Sequence, residues 1–148
     1  MCMSDGDDRN AVDDVKRALR ADLRERRQTL SAAARESAGA GVHQQLDALT
    51  AAHHVGSLSC FLSTNAEPDT REFVREAVRR GIRVLLPVTR ADGLLDWAVA
   101  EEEGDTAEGM FGLPEPVGEL LSPVAVNDVD LLVIPAAAVD RHGMRLGW

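Results

Sequence analysis

A stripe of basic side chains near the start of the chain has the spacing of an anion-binding helix face. In a helix, four cations at steps of four, four and three residues lie on one side: Lys16, Arg20, Arg24 and Arg27. Lys16 is the only lysine, against fifteen arginines, and its compact ammonium group suits contact with a phosphate. The spacing alone is explained more simply by a solvated face paired with Asp22 and Glu25.

A carboxylate in the polar segment "STNAEPD" can accept hydrogen bonds from the N–H groups of a ligand. The segment follows a short apolar run, and Asp69 is placed to cap the helix after it, with Glu72 completing a capping box. Glu67 then has no evident structural role. Ligand binding and an ordinary turn are both open interpretations of this residue.

Glycines and arginines at the end of the chain have the composition of a phosphate-binding loop. Gly143 and Gly147 allow backbone N–H groups to approach an anion, and Arg145 can pair with two phosphate oxygens. The segment lacks the GxxxxGK[ST] pattern of a P-loop, and a turn between a strand and a helix has the same composition. Similarly, Phe111 in "GMFGLPEP" can lie over a flat ligand or belong to an ordinary connection.

Several other kinds of site are disfavoured. The four histidines have neither HExxH nor Cys/His ligand spacing, so zinc is not expected, and the serines lack the GxSxG context of a hydrolase. Cys2 and Cys60 form no CxxC pair, and Cys60 is expected to be a buried, inert thiol. A net charge of −9 argues against a nucleic-acid-binding protein.

Length and composition predict one domain. The 148 residues and 45% hydrophobic content are enough for one packed core. Residues 1–14 form an acidic leader that we expect to be disordered, and residues 15–148 are expected to form the domain. No apolar stretch approaches the ~18 residues of a membrane helix, and no signal peptide is evident. We therefore expect a cytoplasmic monomer that binds neither membrane nor nucleic acid.

Two helices are predicted before the first strand. Steps of three, four and seven residues place an apolar stripe on the first helix, over 11–30: Val12, Val15, Leu19, Leu23 and Leu30. Ser31 can cap a second helix over 32–49. Five residues of the second helix are expected to face inward: Ala34, Ala38, Val42, Leu46 and Leu49.

The remainder predicts an α/β sheet. "HVGSLSCFLS", "TREFVREAVRR" and "IRVLLPV" predict a strand, a helix and a strand, whose usual product is a parallel pair. Phe73, Val74, Ala77 and Val78 of this helix are expected to face inward, and Gly81 to end it. "LLDWAVA" predicts a third strand, "EEEGDTAEGMFGLPEPVG" a long loop, and "DVDLLVIP" a fourth strand buried on both faces. We expect an open, mostly parallel sheet with helices on both faces. Ligands would bind outside the carboxyl ends of its strands.

Four segments, in order, resemble one family. "KRALRADLRERRQTLS", "FLSTNAEPDT", "FGLPEP" and "DLLVIPAAAVDRHGMRLG" are similar to motifs of 5-formyltetrahydrofolate cyclo-ligase, also called methenyltetrahydrofolate synthetase. The resemblance runs from about Val15 to Trp148. It implies an α/β fold of the sugar-phosphate isomerase and CoA transferase type, with two N-terminal helices. It also implies conversion of 5-formyltetrahydrofolate and ATP to 5,10-methenyltetrahydrofolate, ADP and phosphate, with Mg²⁺.

The resemblance assigns roles to individual residues. ATP would be held by Lys16 and Arg20 of the first helix and by the closing residues Arg145, Leu146, Gly147 and Trp148. Arg145 is the candidate catalytic residue, and Leu62 and Glu67 would hold the folate. In the family's mechanism the formyl oxygen is phosphorylated, N10 of the folate attacks the activated carbon, and phosphate leaves on ring closure. Such chemistry depends mostly on positioning and charge neutralisation.

The closing residues correspond to the beginning of the family's "RLGxGxGYYD" segment. The C-terminal part of the fold, with its magnesium-binding Asp, is therefore expected to be missing, and no metal ligand is assigned within this chain. An active cyclo-ligase and an inactive folate-pocket fragment are both open. Two further alternatives are an acidic α/β interaction module, suggested by "EEEGDTAE", and a sugar-phosphate isomerase, which the lack of a second lysine disfavours.

Overall fold

The computed structural model describes residues 5–64, 67–109, 112 and 114–147. Its helices are α1 (Asp5–Gln28), α2 (Ala32–Ala52) and α3 (Arg71–Arg79), with a 3-10 helix at Pro123–Asp128. Its strands are β1 (Ser57–Ser59), β2 (Arg83–Thr89), β3 (Leu95–Val99), β4 (Thr106–Glu108), β5 (Pro114–Pro116), β6 (Leu120–Leu121), β7 (Leu131–Leu132), β8 (Ala138–Val139) and β9 (Arg145–Leu146). The chain divides into two units, residues 32–134 and residues 1–31 with 135–148.

The unit of residues 32–134 is built on a five-stranded sheet of order β6-β3-β2-β1-β7. β1 runs parallel to both β2 and β7, with Leu58 opposite Val84 on one side and Leu131 on the other. β3 and β6 extend the sheet antiparallel from β2. The predicted α/β class with a mostly parallel sheet is confirmed, and β1 and β2 are the parallel pair that the sequence predicts.

The core of this unit forms where α3 packs against the sheet. Phe73, Val74 and Ala77 of α3 are buried, as predicted, against the buried Leu58 and Val84. α3 ends in a Schellman motif, in which Gly81 takes a φ of 81° and the N–H of Ile82 donates to the carbonyl of Ala77. The spacing of apolar residues and the helix-terminating glycine therefore fix both the face and the end of α3.

The inward face of α2 differs from the prediction. Ala34, Ala38 and Leu49 are exposed, Val42 and Leu46 are half-buried, and the buried positions are Gly39 and Thr50. Gly39 lies close to the loop after β1, because a Cβ built on it would be 3.5 Å from the amide nitrogen of Asp69. This alanine-rich helix is therefore buried on the face that contacts the segment near Asp69.

Two predictions about the later strands are wrong. "EEEGDTAEGMFGLPEPVG" is not a structureless loop, because β4 and β5 form an antiparallel hairpin with Thr106 opposite Pro116. Proline is tolerated there because the hairpin has free edges. β7 is not buried on both faces: Leu132 is 55% exposed, and Ile134, just beyond the strand, is 57% exposed. β7 is also the edge of the described sheet.

The unit of residues 1–31 and 135–148 contains α1 and a second hairpin. α1 begins at Asp5, so residues 5–14, predicted to be a disordered leader, are helical in the structure. The apolar stripe of α1 is largely exposed: Val15 is 68% exposed and Leu19 45%. The prediction of one domain over 15–148 stays a prediction.

The second hairpin pairs β8 with β9, with Val139 opposite Arg145. Its turn has Gly143 at a φ of 81°, and the Asp140 carboxylate accepts hydrogen bonds from the N–H groups of His142 (2.8 Å) and Met144 (2.9 Å). A strand-to-strand turn, not the strand-to-helix turn considered above, therefore holds this glycine.

Candidate functional site

The loop after β1 is held in shape by its own side chains. The buried Thr70 hydroxyl donates to the carbonyl of Phe61 (2.6 Å) and accepts from the N–H of Ser63 (3.1 Å). The Ser63 hydroxyl in turn donates to Asp69 (3.1 Å). These contacts join Phe61 and Ser63, before the middle of the loop, to Asp69 and Thr70 at its end.

The start of α3 differs in detail from the predicted capping box. Thr70 is the N-cap residue and its side chain makes no capping hydrogen bond. Asp69 accepts the N–H of Arg71 at 2.9 Å, while Glu72 pairs with Arg75 and Arg79 and not with the backbone before the helix. The side chain of Thr70 is already used inside the loop, which explains why it does not cap the helix.

Glu67 has a structural contact that the sequence did not reveal. One of its carboxylate oxygens, Oε2, accepts hydrogen bonds from the N–H (2.7 Å) and the hydroxyl (3.0 Å) of Thr64. The side chain is half-buried. Within the described residues its other oxygen, Oε1, accepts no hydrogen bond. Glu67 can therefore fix the loop with one oxygen and accept a ligand N–H group with the other.

A second threonine–glutamate contact lies at the end of β2. Glu115 of β5 accepts hydrogen bonds from the N–H (2.8 Å) and the hydroxyl of Thr89, the last residue of β2. Gly109 adjoins this contact, since a Cβ built on it would be 2.1 Å from the carboxyl carbon of Glu115. Sequence reasoning missed Glu115, because only its place in "LPEP" marks it and its partner is 26 residues away.

Two cavities adjoin these contacts. The hairpin cavity, about 380 Å³, is lined by the loop after β1 and by the β4–β5 hairpin, including Ser63, Thr64, Glu108 and Pro114. The acidic cavity, about 410 Å³, is lined by Leu62, by apolar residues of α3 and the sheet, and by the run 101–105. Arg71 lines both. Both volumes are within the range of small-molecule sites.

Arg71 differs in its partner from the other arginines of α3 and from Arg80, which follows the helix. Arg75 and Arg79 pair with Glu72, and Arg80 pairs with Asp47. The guanidinium of Arg71 instead lies 3.4 Å from the carbonyl oxygen of Ser63. No carboxylate among the described residues pairs with it. Its positive charge is therefore available to an anionic group in either cavity.

The predicted nucleotide residues are partly brought together. The Arg20 guanidinium Nε donates to the carbonyl of Gly147 at 2.8 Å, so α1 and the closing segment meet at two of the predicted residues. Lys16 lies one turn earlier on α1 and is exposed. The guanidinium of Arg145 donates to the carbonyl of Pro135 (2.8 Å), and Leu146 is half-buried in β9. Trp148, like Phe111, lies outside the described residues.

Two ion pairs on α1 involve arginines outside the predicted basic stripe. The pairs join Arg17 to Asp14 at 2.7 Å and Arg26 to Asp22 at 3.0 Å. No carboxylate of the described residues lies within ion-pair distance of Lys16, Arg20 or Arg24. The interpretation of the stripe as a solvated face paired with Asp22 therefore does not account for these three cations.

Cys60 is a buried thiol, as predicted. Removal from water raises the pKa of its thiol to about 12, partly offset by hydrogen bonds with Phe61 and Thr70. A thiol with so high a pKa is almost entirely protonated at neutral pH and is a poor nucleophile. No described helix is long and apolar enough to span a membrane.

A sequence model described as the 5-formyltetrahydrofolate cyclo-ligase family matches residues 12–148. The chain belongs to this family. The curated 5-formyltetrahydrofolate cyclo-ligase of Mycolicibacterium smegmatis is 30% identical over 137 residues, which cover 89% of this chain and 69% of the relative. That of Escherichia coli K12 is 24% identical over 127 residues, which cover 84% of this chain and 70% of the relative.

Solved structures of the cyclo-ligase family have the same fold. The 5,10-methenyltetrahydrofolate synthetase of Aquifex aeolicus, solved by NMR, matches with a TM-score of 0.75 and 25% identity, over 90% of this chain and 67% of that one. The Mycoplasma pneumoniae enzyme of the same name matches with a TM-score of 0.66 and 20% identity, over 90% and 71% of the two chains. The family resemblance drawn from four sequence segments is therefore confirmed.

Proposed function

We propose that this chain binds 5-formyltetrahydrofolate and ATP and forms 5,10-methenyltetrahydrofolate, ADP and phosphate. The observation that most supports the proposal is the hairpin cavity. It is lined by two of the motif segments that carry the family resemblance, "STNAEPD" and "GLPEP", which are about 50 residues apart in sequence. The cavity also lies beyond the carboxyl end of the parallel strand β1, where α/β sheets bind their ligands.

Glu67 and Leu62 are the proposed folate-binding residues. A reduced pterin carries several N–H donors, and Oε1 of Glu67, which accepts no hydrogen bond from a described residue, is an acceptor for them. Leu62 is half-buried and lines the acidic cavity, which shares Arg71 and Thr106 with the hairpin cavity, so its side chain would contact a part of the folate that extends from the hairpin cavity into the acidic one. A carboxylate that is already fixed by Thr64 loses little conformational entropy when a ligand binds.

Lys16, Arg20 and the closing residues 145–148 are the proposed ATP-binding residues. The Arg20–Gly147 hydrogen bond supports a joint role of α1 and the closing segment. One terminal nitrogen of the Arg145 guanidinium donates to the carbonyl of Pro135, and the other N–H groups of this side chain are proposed to contact a phosphate. The turn amides of His142 and Met144 are already bonded to Asp140, so they are not proposed as phosphate donors.

The proposed reaction is a phosphoryl transfer followed by ring closure. The γ-phosphoryl group passes from ATP to the formyl oxygen, N10 then bonds to the formyl carbon and releases its proton to solvent, and the oxygen leaves with its phosphate. The task of the protein's cations is to neutralise charge on the transferred group. No described group of three or more His, Cys, Asp or Glu side chains is arranged to hold a metal ion. Mg²⁺ in nucleotide sites needs few protein ligands, and we assign it none here.

An assay of product formation tests the proposal. The purified chain is mixed with 5-formyltetrahydrofolate, ATP and Mg²⁺, and the absorbance of the methenyl product is followed. We expect ATP-dependent product, and we expect Lys16→Ala to weaken ATP use about tenfold while leaving folate affinity unchanged. Arg17→Ala is the matched control, because Arg17 lies next to Lys16 but already pairs with Asp14.

Two results would contradict the proposal at different points. Binding of the folate without product, with or without ATP, would favour the alternative of a folate-binding chain that does not perform the reaction. The absence of binding to both ligands in calorimetry would contradict the proposed substrates altogether and favour an interaction module.

A further inference from the structure

The β4–β5 hairpin forms one wall of the hairpin cavity but is not part of the central sheet. Among the described strands, β4 and β5 pair with each other and with no strand of that sheet. Isolated two-stranded hairpins are marginally stable in water. Something else must therefore hold this wall in place if the cavity is to keep a defined shape.

The Thr89–Glu115 contact supplies such an attachment. Thr89 belongs to the central sheet and Glu115 to the hairpin, and the carboxylate accepts both the backbone N–H and the hydroxyl of Thr89. Both residues are half-buried. A hydrogen bond to an ionised acceptor is stronger than one between neutral groups, and partial burial reduces its competition with water.

Gly109, directly after β4, lies next to the Glu115 carboxylate of β5. The carbonyl of Gly109 accepts a hydrogen bond from the N–H of Gly112, which has a φ of 68°. A Cβ on Gly109 would lie 2.1 Å from the carboxyl carbon and 2.4 Å from both oxygens of Glu115. The Glu115 carboxylate therefore lies next to both Thr89 and Gly109.

We propose that Glu115 is a positioning residue: its contact with Thr89 holds the β4–β5 hairpin so that Glu108 and Pro114 complete the folate-binding cavity. This inference rests on the proposed function for its ligand. Glu115 itself is not assigned a contact with the substrate or with the reacting atoms. The second cavity wall, the loop after β1, is held independently by Thr70 and Asp69.

The test measures hairpin mobility and ligand affinity in the same variants. Thr89→Val removes the hydroxyl with little change in shape, and Glu115→Ala removes the acceptor. We expect both to speed amide hydrogen exchange in residues 106–116 and to weaken 5-formyltetrahydrofolate binding about tenfold by calorimetry, with ATP affinity unchanged. Thr89→Ser keeps the hydroxyl and is expected to restore both properties.

Controls separate positioning from general loss of stability. Glu119→Gln changes an exposed carboxylate a few residues after β5 and is expected to change neither exchange nor affinity. The double variant Thr89→Val/Glu115→Ala is expected to bind no more weakly than Glu115→Ala alone, because both changes remove one interaction.

Each contrary outcome has a distinct meaning. If the unaltered chain binds folate and Glu115→Ala binds it equally well, or if Thr89→Ser behaves like Thr89→Val, the positioning role is refuted. If the unaltered chain binds no 5-formyltetrahydrofolate, the proposed function fails. Hydrogen exchange then tests separately whether Glu115 attaches the hairpin to the sheet, and equal exchange in the parent chain and in Glu115→Ala refutes that attachment.

Discussion

The loops beyond β1 and β2 are each fixed by a glutamate that accepts the N–H and the hydroxyl of a threonine. Beyond β1 the partners are Thr64 and Glu67, three residues apart. Beyond β2 they are Thr89 and Glu115, 26 residues apart. The same kind of contact thus serves two purposes. Between residues close in sequence it shapes a loop, and between distant residues it attaches a hairpin to the sheet.

The largest expected effect is that of removing the carboxylate beyond β1. Glu67→Ala should weaken 5-formyltetrahydrofolate binding roughly 100-fold by calorimetry, because it removes both a ligand acceptor and the support of Thr64. Thr64→Val removes only part of that support and should weaken binding less. Equal losses in the two variants would mean that Glu67 acts only by shaping the loop.

A smaller loss of folate affinity is expected from a substitution that crowds the contact between Thr89 and Glu115 without replacing either residue. Gly109→Ala should displace the Glu115 carboxylate and weaken folate binding about tenfold, since the new methyl group overlaps it. Gly118→Ala is the matched control, because an added Cβ there meets no atom within 4 Å. Wild-type affinity in Gly109→Ala would show that the hairpin can shift at no cost to the cavity.

Removing the positive charge of Arg71, which lines both cavities, should have a still smaller effect on folate affinity. Arg71→Gln is expected to weaken folate binding about threefold to tenfold, because it removes a cation that can pair with an anionic group of the ligand. Arg80→Gln, which breaks an ion pair with Asp47, should change affinity little. A loss in ATP affinity in place of folate affinity would assign Arg71 to the nucleotide.

The smallest effect is expected at the start of β1. There the carboxylate of Asp130 is expected to affect the stability of the fold and not the affinity for folate. Asp130 accepts hydrogen bonds from the N–H groups of Gly56 and Ser57, both at 2.9 Å, and these bonds lower the pKa of its carboxyl. A group whose pKa is lowered by folding stabilises the protein above its unfolded pKa of about 4 and ceases to do so as pH falls through the folded value.

Asp130→Ala should therefore lower the melting temperature by a few degrees at pH 7, and the difference from the parent protein should shrink below pH 4. Folate affinity at pH 7 should not change. A difference in melting temperature that is the same at pH 3 and pH 7 would show that the ionised carboxylate is not the stabilising species.

Sequence reasoning was most successful where neighbours in the chain determine the structure. The face of α3 and its end at Gly81 depend on apolar spacing and on a φ that glycine adopts readily, and both were predicted. The parallel pairing of β1 and β2 was also predicted, because a short strand–helix–strand segment has few other arrangements.

It failed where the outcome depends on residues far apart. The proline-rich segment 114–116 becomes a strand only because residues 106–108 pair with it, and Glu115 reaches Thr89 only in that register. For α2, alanine and glycine are small enough to pack on several faces, so the partner segment near Asp69 selects Gly39. Glu67 was predicted as a ligand residue, yet its contact with Thr64 could be seen only once the loop was folded.

β7 ends the sheet with two residues whose outer N–H and C=O groups have no strand beside them among those described. Beside them Leu132 and Ile134 present apolar side chains to solvent. An open strand edge flanked by exposed aliphatic groups is a template for intermolecular strand addition. Purified protein should therefore self-associate as its concentration rises, and quantitative binding measurements belong at the lowest concentration that the calorimeter allows.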